Sequence, residues 1–253
     1  MIEKEIIVKN LKINYKIFGS GRPFLILHGW GSSSERWEKV SEMLSKIGLM
    51  VIVPDLPGFG KSQEPDSAWS LDNYVEWLLE YAQKIPELQN GFYLLGHSFG
   101  GAVAVKFSIK YAQKVRKLFL ISAAAIRKKT IKKQVLGRIS KFFKLFSFFP
   151  FYGLAKKSFY RYVVRGDDYL KSRGVMKETF LKAISEDLSA HLNFIRIPTV
   201  IIWGDNDEAT LVQDAYFINK KIENSKLIIL PNGKHSLHLE LPEILSQKII
   251  ENL

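Results

Sequence analysis

Six short, mostly apolar runs recur along this chain: PFLILH (23–28), LMVIVP (49–54), FYLLG (92–96), KLFLIS (117–122), TVIIW (199–203) and KLIIL (226–230). Apolar runs of this length without alternation suit strands buried on both faces of a sheet. Helical sequence lies between most of them. Residues 36–46 read as one helix. Ser70 can cap another, whose apolar face is Leu71, Tyr74, Val75, Leu78 and Leu79. Further helices pass through Val103, Ala104 and Phe107, run near Asp214 to Lys221, and start at Pro242, a residue suited to a first turn. EIIVKN and KINYKIF, near the start, read as an antiparallel strand pair. Strands alternating with helices require a mostly parallel sheet with helices on both faces. The expected fold class is therefore α/β, with eight strands.

The rhythm stops between residues 125 and 192, where no buried strand is legible. Two core segments, 1–124 and 193–253, are thus expected to flank an inserted helical unit, 125–192. The insertion is chemically distinct. Residues 126–175 carry 14 Lys and Arg against two acids, Asp167 and Asp168, while the rest of the chain balances 23 bases against 23 acids. The whole formal charge of +12 therefore belongs to this segment. Within it, KFFKLFSFFPFYGLAKK (141–157) places six phenylalanines in seventeen residues.

The 253 residues contain no cysteine, which removes disulfides, a thiol nucleophile and thiolate metal sites. The start, MIEKEIIVKN, is acidic and basic rather than basic then apolar, so no signal peptide is expected. No run reaches the roughly 18 apolar residues of a spanning helix. These features predict a soluble, cytoplasmic protein. Neither a phosphate-cradling nor a dinucleotide-binding glycine pattern occurs, and no metal-ligand cluster is visible, so no cofactor and no metal are expected.

Gly96-His97-Ser98-Phe99-Gly100-Gly101 directly follows the run FYLLG and opens a helical segment. This is G-x-S-x-G in a strand–turn–helix setting. The turn leaves no room for large neighbours and lifts the serine hydroxyl over the N-terminus of the next helix, where negative charge is favoured. A serine nucleophile needs a base. Of the five histidines, His235 lies in the loop after KLIIL, at the strand edge where open α/β sheets place their sites. The base needs an acid to orient it. Asp205, Asp207, Glu208 and Asp214 all follow TVIIW, in the chain order serine, acid, histidine. An oxyanion would need N–H donors. The backbone N–H groups of Phe99 and of Trp30, in HGWG after the first buried run, are candidates, with His28 bracing that loop.

HGWG at His28, DLPGFGKS at Asp55, GHSFGG at Gly96, WGDND at Trp203 and GKHSLHLELPE at Gly233, in this order, resemble the α/β-hydrolase superfamily, in its capped, esterase-like branch. The resemblance covers the chain outside the insertion. It implies Ser98 as nucleophile, Asp207 as acid, His235 as base and Trp30 and Phe99 as oxyanion donors. Asp205 would then stiffen its turn and Asp55 would be structural. The insertion, after the sixth strand, matches the family's cap, with Phe142, Phe143, Phe146 and Phe149 as candidate substrate-pocket residues. An aspartate at the elbow would mark the epoxide- and halide-processing members, and Ser98 argues against both.

The implied activity is hydrolysis of small to medium apolar acyl or aromatic esters through an acyl enzyme. The same residues admit carbon–carbon bond or lactone hydrolysis, or a ligand-binding protein without catalysis. The expected partner is a small-molecule ester. A basic, aromatic segment also suits an anionic membrane surface, but Lys144 and Pro150 interrupt any clean amphipathic helix, and no nucleic-acid-binding motif accompanies the charge. Neither partner is expected.

Overall fold

The computed structural model describes residues 1–127 and 174–253. Eight strands form one sheet: β1 (Ile2–Val8), β2 (Leu11–Phe18), β3 (Arg22–Leu27), β4 (Leu49–Pro54), β5 (Phe92–His97), β6 (Val115–Ile121), β7 (Thr199–Gly204) and β8 (Ser225–Leu230). Their order is β1-β2-β4-β3-β5-β6-β7-β8. β1 pairs antiparallel with β2, and β2 with β4; every later pairing is parallel. The described helices, in chain order, are α1 (Glu38–Ser45), α2 (Leu71–Lys84), α3 (Phe99–Lys110), α4 (Gly174–Ser185), α5 (Val212–Lys221), α6 (Leu237–Glu240) and α7 (Pro242–Ile250).

The apolar runs lack alternation because the sheet feeds two cores. Successive side chains of a strand leave on opposite faces. Leu25 and Leu27 of β3, Leu118 and Leu120 of β6, and Ile201 and Trp203 of β7 enter the core beneath α2, α3 and α5. Their neighbours Phe24, Ile26, Phe119, Ile121, Val200 and Ile202 enter the core beneath α1 and α7. Each face therefore needs its own apolar set, and the strand reads as continuous.

The helix starts follow local chemistry. Ser70 caps α2 with a capping box: its Oγ accepts from the Asn73 N–H at 3.4 Å, and Asn73 Oδ1 accepts from the Ser70 N–H at 2.8 Å. The helix expected over 36–46 differs in detail. A 3-10 turn, Ser34–Trp37, precedes α1. Trp37 ends that turn fully buried, its ring stacked on His238 at 4.3 Å.

Two features place the site. The loop after β4 is fixed by buried Asp55, which accepts from the Ser34 N–H (2.6 Å), the Lys61 N–H (2.9 Å) and Asn14 Nδ2 (3.0 Å). Burial raises the pKa of this carboxyl, but those donors outweigh it and hold the group below its ordinary range. Asp55 is structural. α4 rests on the neighbouring segment: Thr179 Oγ1 accepts from the Trp69 N–H at 3.0 Å and Lys182 Nζ donates to the Ala68 carbonyl at 2.9 Å. Among the described residues, no helix is long and apolar enough to cross a membrane.

Candidate active site

Trp30, Ser98, Phe99, Asp207 and His235 sit at the C-terminal edge of the parallel strands, where the loops converge. Ser98 joins β5 to α3 with φ 50° and ψ −115°. A side chain in the positive-φ region costs on the order of 1–3 kcal/mol, and the surroundings must impose it. The Ser98 N–H donates to the Ile121 carbonyl at 3.1 Å. Its own carbonyl accepts from Gly101, Ala102 and Ala124 at 3.0, 3.2 and 2.9 Å. Glycine at two flanking positions permits the turn. A Cβ at Gly100 would collide with the Leu27 and His28 carbonyl oxygens, and one at Gly96 would lie 2.7 Å from Ala104 Cβ.

The Ser98 hydroxyl lies 3.0 Å from His235 Nε2. His235 Nδ1 faces the Asp207 carboxylate, 2.9 Å from Oδ2 and 3.1 Å from Oδ1. With Nδ1–H donating to Asp207, Nε2 presents its lone pair to the serine. Asp207 is buried. Its Oδ1 also accepts the Ala209 and Thr210 N–H groups, each at 2.9 Å, and its Oδ2 the Thr210 hydroxyl at 2.9 Å. Burial pushes this carboxyl up, yet His235 and the Thr210 N–H more than offset it, and the pKa stays below the usual aspartate value. Asp207 is therefore ionised at neutral pH.

Of the other acids after β7, Asp205 and Glu208 are exposed, and Asp214 lies in α5. The Asp205 N–H donates to the Leu230 carbonyl at 3.2 Å, which stiffens the turn. Asp207 is thus the acid that meets His235.

Phe99 is the first residue of α3, and its N–H has no acceptor within that helix. Trp30 lies in the loop after β3, which runs against Ser98: a Cβ on its neighbour Gly29 would stand 3.2 Å from Ser98 Cβ. The Trp30 ring meets Phe59, Phe99 and Phe180 edge-on, at centroid distances of 4.8, 5.2 and 5.0 Å. His28 braces this loop. Its Nδ1–H donates to the Gly29 carbonyl at 2.7 Å, and its Nε2 accepts from the Leu56 N–H at 2.9 Å. Burial lowers its pKa and keeps it neutral.

Ser98, Asp207, His235, Trp30 and Phe99 are thus brought together. Phe142, Phe143, Phe146 and Phe149 lie outside the described residues. Sequence reasoning missed Thr210, which clamps Asp207, and Phe180, the α4 residue on Trp30. Thr210 stands three residues after an aspartate in a turn, a spacing that could have flagged it. Phe180 carries no local signal.

Comparison with known proteins places the chain in a family. The family described as serine aminopeptidase, S33, matches residues 22–242. A pimeloyl-[acyl-carrier protein] methyl ester esterase of Wigglesworthia glossinidia brevipalpis is 31% identical over 252 residues, covering 90% of this chain and 92% of its own. Lipase 1 of Psychrobacter immobilis is 24% identical over 234 residues, covering 85% and 72%. Among solved structures, a thermophilic esterase from Thermogutta terrifontis superposes with a TM-score of 0.76 at 22% identity, over 99% of this chain and 97% of that one. The chain belongs to the serine aminopeptidase, S33, family and is an enzyme of the α/β-hydrolase type.

Proposed function

We propose that this protein hydrolyses carboxylic esters, with Ser98 as nucleophile, His235 as general base and Asp207 as its orienting acid. The observation that carries the reading is the unbroken hydrogen-bond line from Asp207 Oδ2 through His235 to Ser98 Oγ, at 2.9 and 3.0 Å, on a serine held at positive φ. His235 Nε2 takes the hydroxyl proton as Ser98 Oγ attacks the ester carbonyl carbon. The Phe99 and Trp30 N–H groups receive the oxyanion. Collapse breaks the bond to the alkoxy oxygen, which leaves as alcohol with the proton from His235. Water then attacks the acyl enzyme, His235 again accepts a proton, and the acid and free Ser98 are released. Asp207 stays ionised and holds Nδ1–H throughout.

The aromatic edges of Trp30, Phe59, Phe99 and Phe180 favour small to medium apolar acyl or aromatic groups. Residues 125–192 are read as a cap inserted in the core formed by 1–124 and 193–253, an arrangement supported by α4 seated beside Trp30. Hydrolysis of p-nitrophenyl esters from acetate to palmitate, by wild type and Ser98→Ala in parallel, tests the reading. Turnover that peaks at short chains and vanishes in the variant is expected. Equal turnover by both proteins would refute it.

A narrower reading has its own support. The +12 charge confined to residues 126–175 suits an acidic partner, and the 31%-identical relative is an esterase of a carrier-protein-bound methyl ester. An ester presented on an acidic carrier protein is then the substrate class. Its kcat/KM is expected to exceed that of the free methyl ester at low salt and to approach it at high salt. No salt-dependent difference would rule this reading out.

A further inference from the structure

His97, next to the nucleophile, takes no part in the proton transfers above. Its ring is buried and its Nε2 lies 3.0 Å from the backbone carbonyl oxygen of His235. A carbonyl only accepts, so Nε2 carries the proton and Nδ1 carries the lone pair. Among the described residues, Nδ1 has no hydrogen-bond partner. The ring is wedged in a column of rings: His235 at 5.0 Å, His238 at 4.7 Å and Trp37 at 5.9 Å, with Trp37 stacked in turn on His238. The loop that carries His235 is held on its outer side by Glu240, which accepts the N–H groups of Lys234 and Ser236 at 2.9 and 3.3 Å. On the buried side, the carbonyl of His235 itself is held by His97.

We propose that His97 is a positioning residue: its Nε2–H ties the peptide of the general base to the residue adjoining the nucleophile, so that Ser98 and His235 keep their 3.0 Å separation as one unit. This rests on the reading of Ser98 and His235 given above. The tie requires a neutral ring in one tautomer. Burial first, then the neighbouring rings of His238, His235 and His28, hold His97 well below the ordinary histidine pKa, against the opposing effect of its bond to the His235 carbonyl. Arg36 lies close enough to act on His238 in the same direction. The ring therefore stays neutral above the ordinary histidine pKa, and the donor is constant there. Misplacement of a base by about 1 Å can cost on the order of 100-fold in rate, which gives such a tie its value.

The test compares wild type, His97→Phe, which keeps a ring but loses the donor, and His97→Gln, whose side-chain N–H can reach the same carbonyl. The readouts are the rate of Ser98 labelling by a fluorophosphonate, kcat and KM on a p-nitrophenyl ester, and the thermal midpoint. His97→Phe is expected to label about 10- to 100-fold more slowly with KM little changed, and His97→Gln to recover most of the rate. Labelling of folded His97→Phe at the wild-type rate would overturn the proposal alone, as would equal slowing in both variants. Absence of labelling in wild type would overturn the reading of Ser98 and this proposal with it. Nitrogen-15 NMR of the wild-type histidines needs no variant. His97 is expected as the Nε2–H tautomer from about pH 6.5 to 8; an Nδ1–H tautomer or a ring titrating in that window would sink the idea.

Discussion

Ser98 and His235 stand 137 positions apart in the chain and 3.0 Å apart in the fold. Two strand ends make the meeting: β5 delivers the serine at its turn into α3, and β8 releases the histidine into the loop before α6. Ser98→Ala is expected to lower kcat on the order of 10⁴- to 10⁶-fold with the fold intact. Ser98→Gly should be equally inactive yet more stable, since glycine adopts φ 50° without strain. A gain of about 1 kcal/mol in chemical denaturation would bear this out, and a loss would mean the serine is unstrained.

Asp207 and Asp205 separate by chemistry as well as position. Asp207→Asn removes the acceptor that fixes the His235 tautomer, and a loss of up to about 10⁴ in kcat is expected, smaller than that of Ser98→Ala. Asp205→Asn, at an exposed turn position, should leave kcat near wild type. A larger loss from Asp205 than from Asp207 in steady-state kinetics would reverse the assignment.

Thr210 acts on Asp207 through both hydroxyl and backbone N–H. Thr210→Val keeps the shape and the N–H but deletes the hydroxyl donor. Asp207 is then less stabilised as an anion and less firmly aimed. A destabilisation of about 1–2 kcal/mol is expected, read by denaturant unfolding, together with a lower kcat and an unchanged KM. Wild-type kinetics would confine Thr210 to a structural role.

Acid stability should report the buried rings. Burial, with His235, Arg36 and His28 nearby, lowers the His238 pKa from 6.5 to about 3. Between those values the unfolded chain binds a proton that the folded chain does not. The stabilisation is therefore complete above pH 6.5 and is lost at about 1.4 kcal/mol per pH unit as pH falls toward 3. His97 is lowered too and acts in the same direction. Asp207, also lowered, adds stability that is lost only below the ordinary aspartate range. His238→Phe, which retains a ring to stack on Trp37, should flatten the fall in thermal midpoint between pH 6.5 and 4. An unchanged slope would place the titration elsewhere.

Much of the frame was legible because its signals are local. LMVIVP is β4 residue for residue, and Ser70 caps α2 as its side chain suggests. The start of α1 was less so: Trp37 leaves helical geometry to stack on His238, about two hundred residues downstream, and no window around residue 37 contains that partner.

The sequence by itself determined the two-faced sheet, the strand–turn–helix at Ser98 and the strand edge on which the candidate site lies, because apolar run length, glycine placement and capping act within a few residues. Tertiary structure alone decided that Asp207 meets His235 while Asp205 faces solvent, that Thr210 clamps the acid, that Phe180 closes on Trp30 and that His97 holds the His235 carbonyl. Each of these depends on where a hydrogen bond or a ring edge falls to within about an ångström. That position is fixed by how β5, β6, β7 and β8 pack side by side and by how α4 lies against Trp30 in the loop after β3, and neither can be read from the spacing along one strand.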